Sequence, residues 1–156
     1  MLEELRSMPL MTVRLDVALD RVLDIGDVPT GRRRIFPVNG GQFDGARLRG
    51  TVLPDGADWA LWRKDGAMVI DVRLMLKTDD DALISMEYVG LMYGRTPEAQ
   101  AAIRSGGKLS YESLYLRTTP RFETSTPRYE WMNRVVAVAN GQPGGNGGVY
   151  HIFEIT

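Results

Sequence analysis

The side chains that could trade protons with an organic molecule fall on short alternating segments. Asp71 and Arg73 stand two apart in Ala67–Lys77, Tyr88 lies in Ala82–Tyr93, and Tyr115 and Arg117 share one face of Tyr111–Arg117. Trp131 and Asn133 follow a Thr/Pro-punctuated corner in which Thr119-Pro120-Arg121-Phe122-Glu123 nearly repeats as Thr126-Pro127-Arg128-Tyr129-Glu130. An arginine such as Arg73 or Arg117 would hold a carboxylate or enolate oxygen by paired N–H bonds. Asp71, Asp58 or Glu123 would act as general base once apolar surroundings raise its pKa. Tyr88 or Tyr115 would donate a proton, and Trp59 and Trp131 would stack on a ring. The candidate catalytic residues are therefore Asp71, Arg73 and Tyr88. The candidate ligand contacts are Asp58, Trp59, Tyr115, Arg117, Phe122, Glu123, Trp131 and Asn133. Such a set suits isomerisation, cyclisation, elimination or hydration with neither metal nor organic cofactor.

Composition narrows the classes. A chain of 156 residues fits one domain, residues 1–156, with a single core. Net charge is -1, so no global field draws in nucleic acid or an anionic membrane. Cysteine is absent, which removes disulfides and thiolate chemistry, and His151 is the lone histidine, so a His-rich zinc site is excluded. The opening MLEELRSMPLM lacks the apolar core of a signal peptide, and no run approaches the roughly 20 apolar residues of a membrane helix. The expectation is a cytoplasmic protein with a small organic ligand as its partner.

The elements that must position these residues are mostly strands. Segments are short, alternate with period two and end at Gly, Pro or Asp. Thr12–Asp24 reads as one strand, Asn39-Gly40-Gly41 as a turn, Asp58–Arg63 as a short strand, and Lys64-Asp65-Gly66 as a hairpin turn. Strand-like runs enter and leave the Thr/Pro corner, the second through Trp131 and Asn133. Gly141–Gly148 reads as a flexible loop. One helix is expected near residues 97–105, with Thr96 as N-cap, Pro97 at the first position and Gly106-Gly107 as the stop. Eight to nine strands with one short helix predict an all-β, antiparallel up-and-down barrel, which removes edge strands by closure.

Three clusters invite stronger readings. In Arg32-Arg33-Arg34 neighbouring side chains of an extended segment point to opposite faces, so no three-arginine surface forms and phosphate binding is the weaker reading. Asp79-Asp80-Asp81 lacks the Gly and distant Glu of an EF-hand loop and reads as a solvated hairpin tip. His151, beside Tyr150, reads as a structural histidine at the barrel rim before it reads as a catalytic one.

Which face points inward is open from the residues alone. On Ala67–Lys77 the aliphatic row Met68, Ile70, Val72, Leu74 and Leu76 could fill the lumen, leaving Asp71 and Arg73 in water. Alternatively Asp71 and Arg73 line the lumen, as the tyrosines, tryptophan and asparagine of the later strands mildly favour.

A family resemblance adds to this reading. Gly31–Ile35, Asn39-Gly40-Gly41, Leu48-Arg49-Gly50, Gly56-Ala57-Asp58-Trp59, Asp71-Val72-Arg73, Thr78-Asp79-Asp80 and Arg117–Thr124, with Tyr129, Trp131, Asn133 and Arg134, resemble the bacterial and fungal domain-of-unknown-function family 3237 over nearly the whole chain. Asp55 and Asp81 stand where similar sequences commonly show Gly. The resemblance implies a lipocalin-like barrel and carries no catalytic set. The first functional reading is a cofactor-free acid–base enzyme for an aromatic or polyketide-like compound. The alternatives are a carrier or sensor of a small apolar acid, or a structural homo-oligomer with a filled barrel. A homodimer or higher homo-oligomer fits all three.

Overall fold

The computed structural model describes residues 3–107 and 109–156. Among them the chain forms ten strands: β1 Ser7–Val17, β2 Leu23–Val28, β3 Gly31–Asp44, β4 Arg49–Val52, β5 Ala57–Trp62, β6 Met68–Thr78, β7 Leu83–Gly94, β8 Leu114–Glu123, β9 Ala137–Gly144 and β10 Gly147–Ile155. A single α-helix, α1 (Pro97–Ser105), joins β7 to β8, and 3₁₀ segments span Leu19–Arg21 and Pro127–Arg134. All pairings are antiparallel, and β1 pairs with both β10 and β3, which closes the sheet. The ten strands fill eight positions around the barrel: β1 and β2 lie end to end along one side of β3, and β4 and β5 lie end to end between β3 and β6. The barrel and its one short helix are as the sequence predicts.

Strand β6 decides which way the pleat faces. Met68, Ile70, Val72, Leu74 and Leu76 are buried inward, while Asp71, Arg73, Met75 and Lys77 point out. Each aliphatic side chain withdrawn from water contributes about 2 kcal/mol. Turning the strand over would instead bury Asp71 and Arg73 at several kcal/mol per unpaired charge. The alternative in which these two line the lumen is thereby overturned.

The two ends of the barrel differ. One end is closed by the 3₁₀ segment Pro127–Arg134, whose Tyr129 and Met132 are buried. Asp80 Oδ1 accepts from the Tyr129 hydroxyl at 2.8 Å and from Thr78 Oγ1 at 2.6 Å, and Asp80 Oδ2 accepts from Arg128 at 2.8 Å. The Asp79–Asp81 cluster is thus more than a solvated tip, since its middle member anchors the plug. The second strand-like run expected through Trp131 and Asn133 is this 3₁₀ segment instead; Pro127 at its start fixes φ and favours the turn.

The opposite end is the mouth, and α1 lies over it. Thr96 Oγ1 caps the helix by accepting from Ala99 N–H at 3.1 Å, and Gly106 ends it in the left-handed region at φ 72°. Gln100 pins the helix down: its Oε1 accepts from Gly94 N–H at 2.8 Å, and its Nε2 donates to the Gly66 carbonyl at 2.7 Å.

Three sequence readings are corrected. Thr12–Asp24 is interrupted, because β1 ends at Val17 and a 3₁₀ turn precedes β2. Asn39-Gly40-Gly41 is no turn; β3 runs through it while its partner changes from β5 to β4. The chains approach so closely there that a Cβ on Gly41 would lie 2.1 Å from the Arg14 carbonyl oxygen. Gly141–Gly148 is the β9–β10 hairpin, with Gly147 paired to Gly144.

Candidate functional site

Just inside the mouth the core gives way to a cavity of about 270 Å³. Its walls include Phe36 of β3, Trp62 of β5, Met68 and Val72 of β6, Leu116 of β8 and Ile103 of α1. The polar residues of its lining are Asp58 from β5, Tyr88 from β7 and Tyr150 from β10, with Gln142 and Asn146 at the β9–β10 hairpin. Asp58, Tyr88 and Tyr150 each share the pleat parity of a buried neighbour on their own strand, Ala60, Met86 and Ile152 respectively.

Asp58 makes one hydrogen bond, accepting from the Asp71 backbone N–H at 3.1 Å. That bond and the charge of Arg33 favour the carboxylate, but loss of water outweighs them, with the nearby charge of Asp71 adding to the effect. Its pKa is pushed up to about 7. Tyr88 is 2% exposed, and its hydroxyl has no hydrogen-bond partner among the described residues. Burial, then the nearby Tyr150 and the charge of Asp58, raise its pKa well above the usual phenol value. Burial and the charge of Asp58 push Tyr150 up to about 12. The two phenol rings pack at 5.2 Å, inclined by 52°.

Glycine makes the room for Tyr150. A Cβ on Gly148 would meet the Tyr150 ring at 2.7 Å, and one on Gly141 would meet Leu116 at 2.5 Å and the Tyr150 ring at 3.0 Å. The glycine-rich stretch thus serves the cavity by leaving space beside this ring.

Of the residues singled out in the sequence, the structure brings Asp58 and Tyr88 together. Asp71 reaches the site through its amide alone, and its carboxylate lies outside. Arg73, whose side chain is 85% exposed, sits on the outer wall 3.9 Å from Glu87, which also pairs with Arg121 at 2.6 Å. Trp59 is 54% exposed, opposite Trp62 in the pleat. Tyr115 stacks on Tyr93 at 4.7 Å on the outer surface, and Arg117 lies over Tyr111 and Tyr115. Phe122 points inward, but toward the plugged end beside Met86, and Glu123 is exposed there. Trp131 stacks under Arg47 at 3.9 Å. Asn133 splints the plug, accepting from Thr124 N–H at 2.8 Å and donating to the Thr124 carbonyl at 2.9 Å. His151 lies between β1 and β10, with Nδ1 3.1 Å from Thr12 Oγ1, and does not line the cavity. Sequence reasoning missed Tyr150, Trp62 and Phe36. The signal for Trp62 was its parity with Asp58 in Asp58–Arg63; that for Tyr150 was its parity with Ile152.

The sequence profile of the family of proteins of unknown function DUF3237 matches residues 6–155. The chain belongs to that family. Among its relatives is the UPF0311 protein of Clostridium acetobutylicum, 36% identical over 121 residues that cover 76% of this chain and 75% of the relative. The crystal structure of a conserved protein of unknown function from Rhodopseudomonas palustris superposes with TM-score 0.91 at 28% identity, over 99% of this chain and 100% of that one. A protein from Penicillium herquei, described as an enzyme, has the same fold at TM-score 0.75 and 17% identity, over 100% of this chain and 98% of its own. Among the described residues of this DUF3237 chain, no helix is long and apolar enough to cross a membrane.

Proposed function

We propose that this barrel binds a small organic molecule in its mouth cavity and acts on it by acid–base chemistry, without a cofactor. The substrate class is an aromatic or polyketide-like compound, and the reaction an isomerisation, cyclisation or elimination. The observation that carries the reading is Asp58: a carboxyl titrating near neutrality beside two phenols, in a cavity walled by Phe36 and Trp62. A base with its pKa near the working pH is half available and still strong enough to take a proton.

The chemistry follows from these groups. The Asp58 carboxylate removes a proton from carbon next to a carbonyl; the C–H pair becomes the C=C bond of an enolate, and the carbonyl π pair moves onto the oxygen. Tyr88 and Tyr150, protonated at neutral pH, donate hydrogen bonds to that oxygen. The protonated Asp58 then returns its proton to a different atom, which isomerises the substrate, or to a departing oxygen, which completes an elimination. The unpartnered Tyr88 hydroxyl is held at a penalty of about 1–3 kcal/mol, which an acceptor oxygen on the ligand would relieve. That the Penicillium herquei barrel is described as an enzyme supports the reading only in that such a fold can house chemistry. The carrier alternative fits less well, because Asp58 would repel the carboxylate of an apolar acid.

The test is deuterium incorporation into an enolisable hydroxyaryl ketone in D2O, followed by NMR. The wild type accelerates exchange, the rate rises as pH passes through about 7, and Asp58→Asn lowers it by about 100-fold or more. Arg73→Ala on the outer wall leaves the rate unchanged. Ketones that bind with equal exchange in wild type and Asp58→Asn would leave the carrier reading standing and remove the enzyme.

A further inference from the structure

Beyond the cavity, on the far side of Trp62 and Ile103, lies a second concavity of about 670 Å³. It is built from the β2–β3 hairpin, the β5–β6 turn and the last turn of α1. Arg32, Arg34, Arg63, Lys64 and Arg104 line it, against the carboxylates of Asp24 and Asp27 alone. Alternation along β3 keeps Arg33 out: it faces the other way and donates to the Trp59 carbonyl at 2.7 Å. No three-arginine surface forms, yet Arg32 and Arg34 do meet cations supplied by two other elements.

Internal pairing neutralises part of this charge. Asp24 accepts from Arg32 at 2.6 Å and from the Gly26 N–H at 3.0 Å, and Asp65, outside the basin, takes Arg63. Lys64 and Arg104 form no ion pair among the described residues, and the carboxylate nearest Arg34 is the already engaged Asp24, 3.8 Å from its Nε. Arg34 is also fixed in place. Its guanidinium lies 5.2 Å from the Phe36 ring and 5.8 Å from that of Trp62, and its Nε is buried without a hydrogen-bond partner. A guanidinium held in place in a concave site with surplus positive charge is suited to an oxyanion. Two further unpaired cations, Lys64 and Arg104, favour a dianion over a monoanion.

We propose that this basin binds a phosphate-type dianion, either free phosphate or the phosphate group of a small organic ester. The site does not rest on the acid–base reading of the cavity, because Asp58, Tyr88 and Tyr150 do not line it. The Trp62 side chain is the wall between the two sites, so an ester with a ring could place that ring against Trp62.

The experiment is isothermal titration of the whole protein with inorganic phosphate, phenyl phosphate and acetate at matched ionic strength. Phosphate should bind saturably and at least ten-fold more tightly than acetate. Lys64→Gln with Arg104→Gln, both exposed positions that leave the core intact, should weaken it by ten-fold or more, as should Arg34→Gln. Tighter binding of phenyl phosphate marks an ester as the ligand; equal binding marks free phosphate, and both sustain the dianion site. Phosphate binding no tighter than acetate, or unchanged in the Lys64/Arg104 double variant, overturns it. Asp58→Asn should leave phosphate affinity unaltered while lowering ketone exchange, so failure of one site is read separately from failure of the other.

Discussion

Replacing Asp58 by Asn should make the protein more stable at pH 8 and leave it little changed near pH 4. Asn keeps an oxygen for the Asp71 N–H, so the substitution removes the charge and spares the hydrogen bond. The sign follows from proton linkage. In the unfolded chain Asp58 loses its proton near 3.8, and in the folded chain near 7. Between those values the native state holds a proton that the unfolded state has released, so native stability falls as pH rises through this window. Above about pH 7 the penalty is complete. The gap between 3.8 and about 7 corresponds to roughly 4 kcal/mol. Asp58 is only partly buried, and solvent screening roughly halves that figure, to about 2 kcal/mol. Urea unfolding of both proteins at pH 4.5 and pH 8 gives the test, since other titrating groups cancel in the difference. The stability gain of Asp58→Asn should be larger at pH 8 by about 2 kcal/mol, which for a chain of this size is a Tm difference of roughly 4–8 °C. A gain that is the same at both pH values would mean that Asp58 is ordinarily solvated, and the case for a base in the cavity would fall with it.

Two other perturbations probe the surroundings of the site. Gly141→Ala places a methyl 2.5 Å from Leu116 and should destabilise the fold by about 1–3 kcal/mol, read by urea unfolding; an unchanged midpoint would mean that the Tyr150 seat is loose. Tyr129→Phe removes the hydroxyl that Asp80 accepts and should lower Tm by roughly 3–6 °C at pH 7. The Asp80 pKa is held down chiefly by Thr78 and then Tyr129, so its stabilisation is present above pH 3.8 and lost as pH falls below that. The Tyr129→Phe difference should accordingly shrink in acid.

The fold was legible because the strands carry their burial in their alternation. The aliphatic row of β6 needs an interior, and eight strand positions supply one without leaving edges. The helix was legible for a local reason, with Thr96, Pro97 and Gly106 each satisfying a terminus. The site was legible only in part. Asp58 and Tyr88 share a destination because of pleat parity, but parity alone does not say which row is inside, and Asp71 and Arg73 look like a polar lining until burial of the opposite row is weighed. Tyr115, Arg117 and Trp131 found partners on the outer surface or at the plug, through contacts that join segments far apart in sequence. Tyr150 was hidden by its glycines, which read as a loop because their role is to leave space for a ring on a neighbouring position.

The distribution of polar groups along the barrel axis argues for where function can reside. At the plugged end Asp80 is engaged by three donors, and Asn133 spends both ends of its amide on Thr124. At the mouth the opposite holds: Asp58 has a single hydrogen bond, and the Tyr88 hydroxyl and Arg34 Nε have none among the described residues. A buried polar group without a partner costs about 1–3 kcal/mol, so such groups persist where the rest of the structure holds them in place. Here the closed sheet and the plug do the holding, and Gln100 fixes α1 across the opening. Filling the mouth with Leu in place of Asp58 should therefore raise stability more than any comparable change at the plugged end. Equilibrium unfolding of Asp58→Leu beside Asp80→Leu decides it. A stabilised Asp58→Leu and a destabilised Asp80→Leu place the unmet polar demand at the mouth; equal losses in both would show that Asp58 is as structural as Asp80.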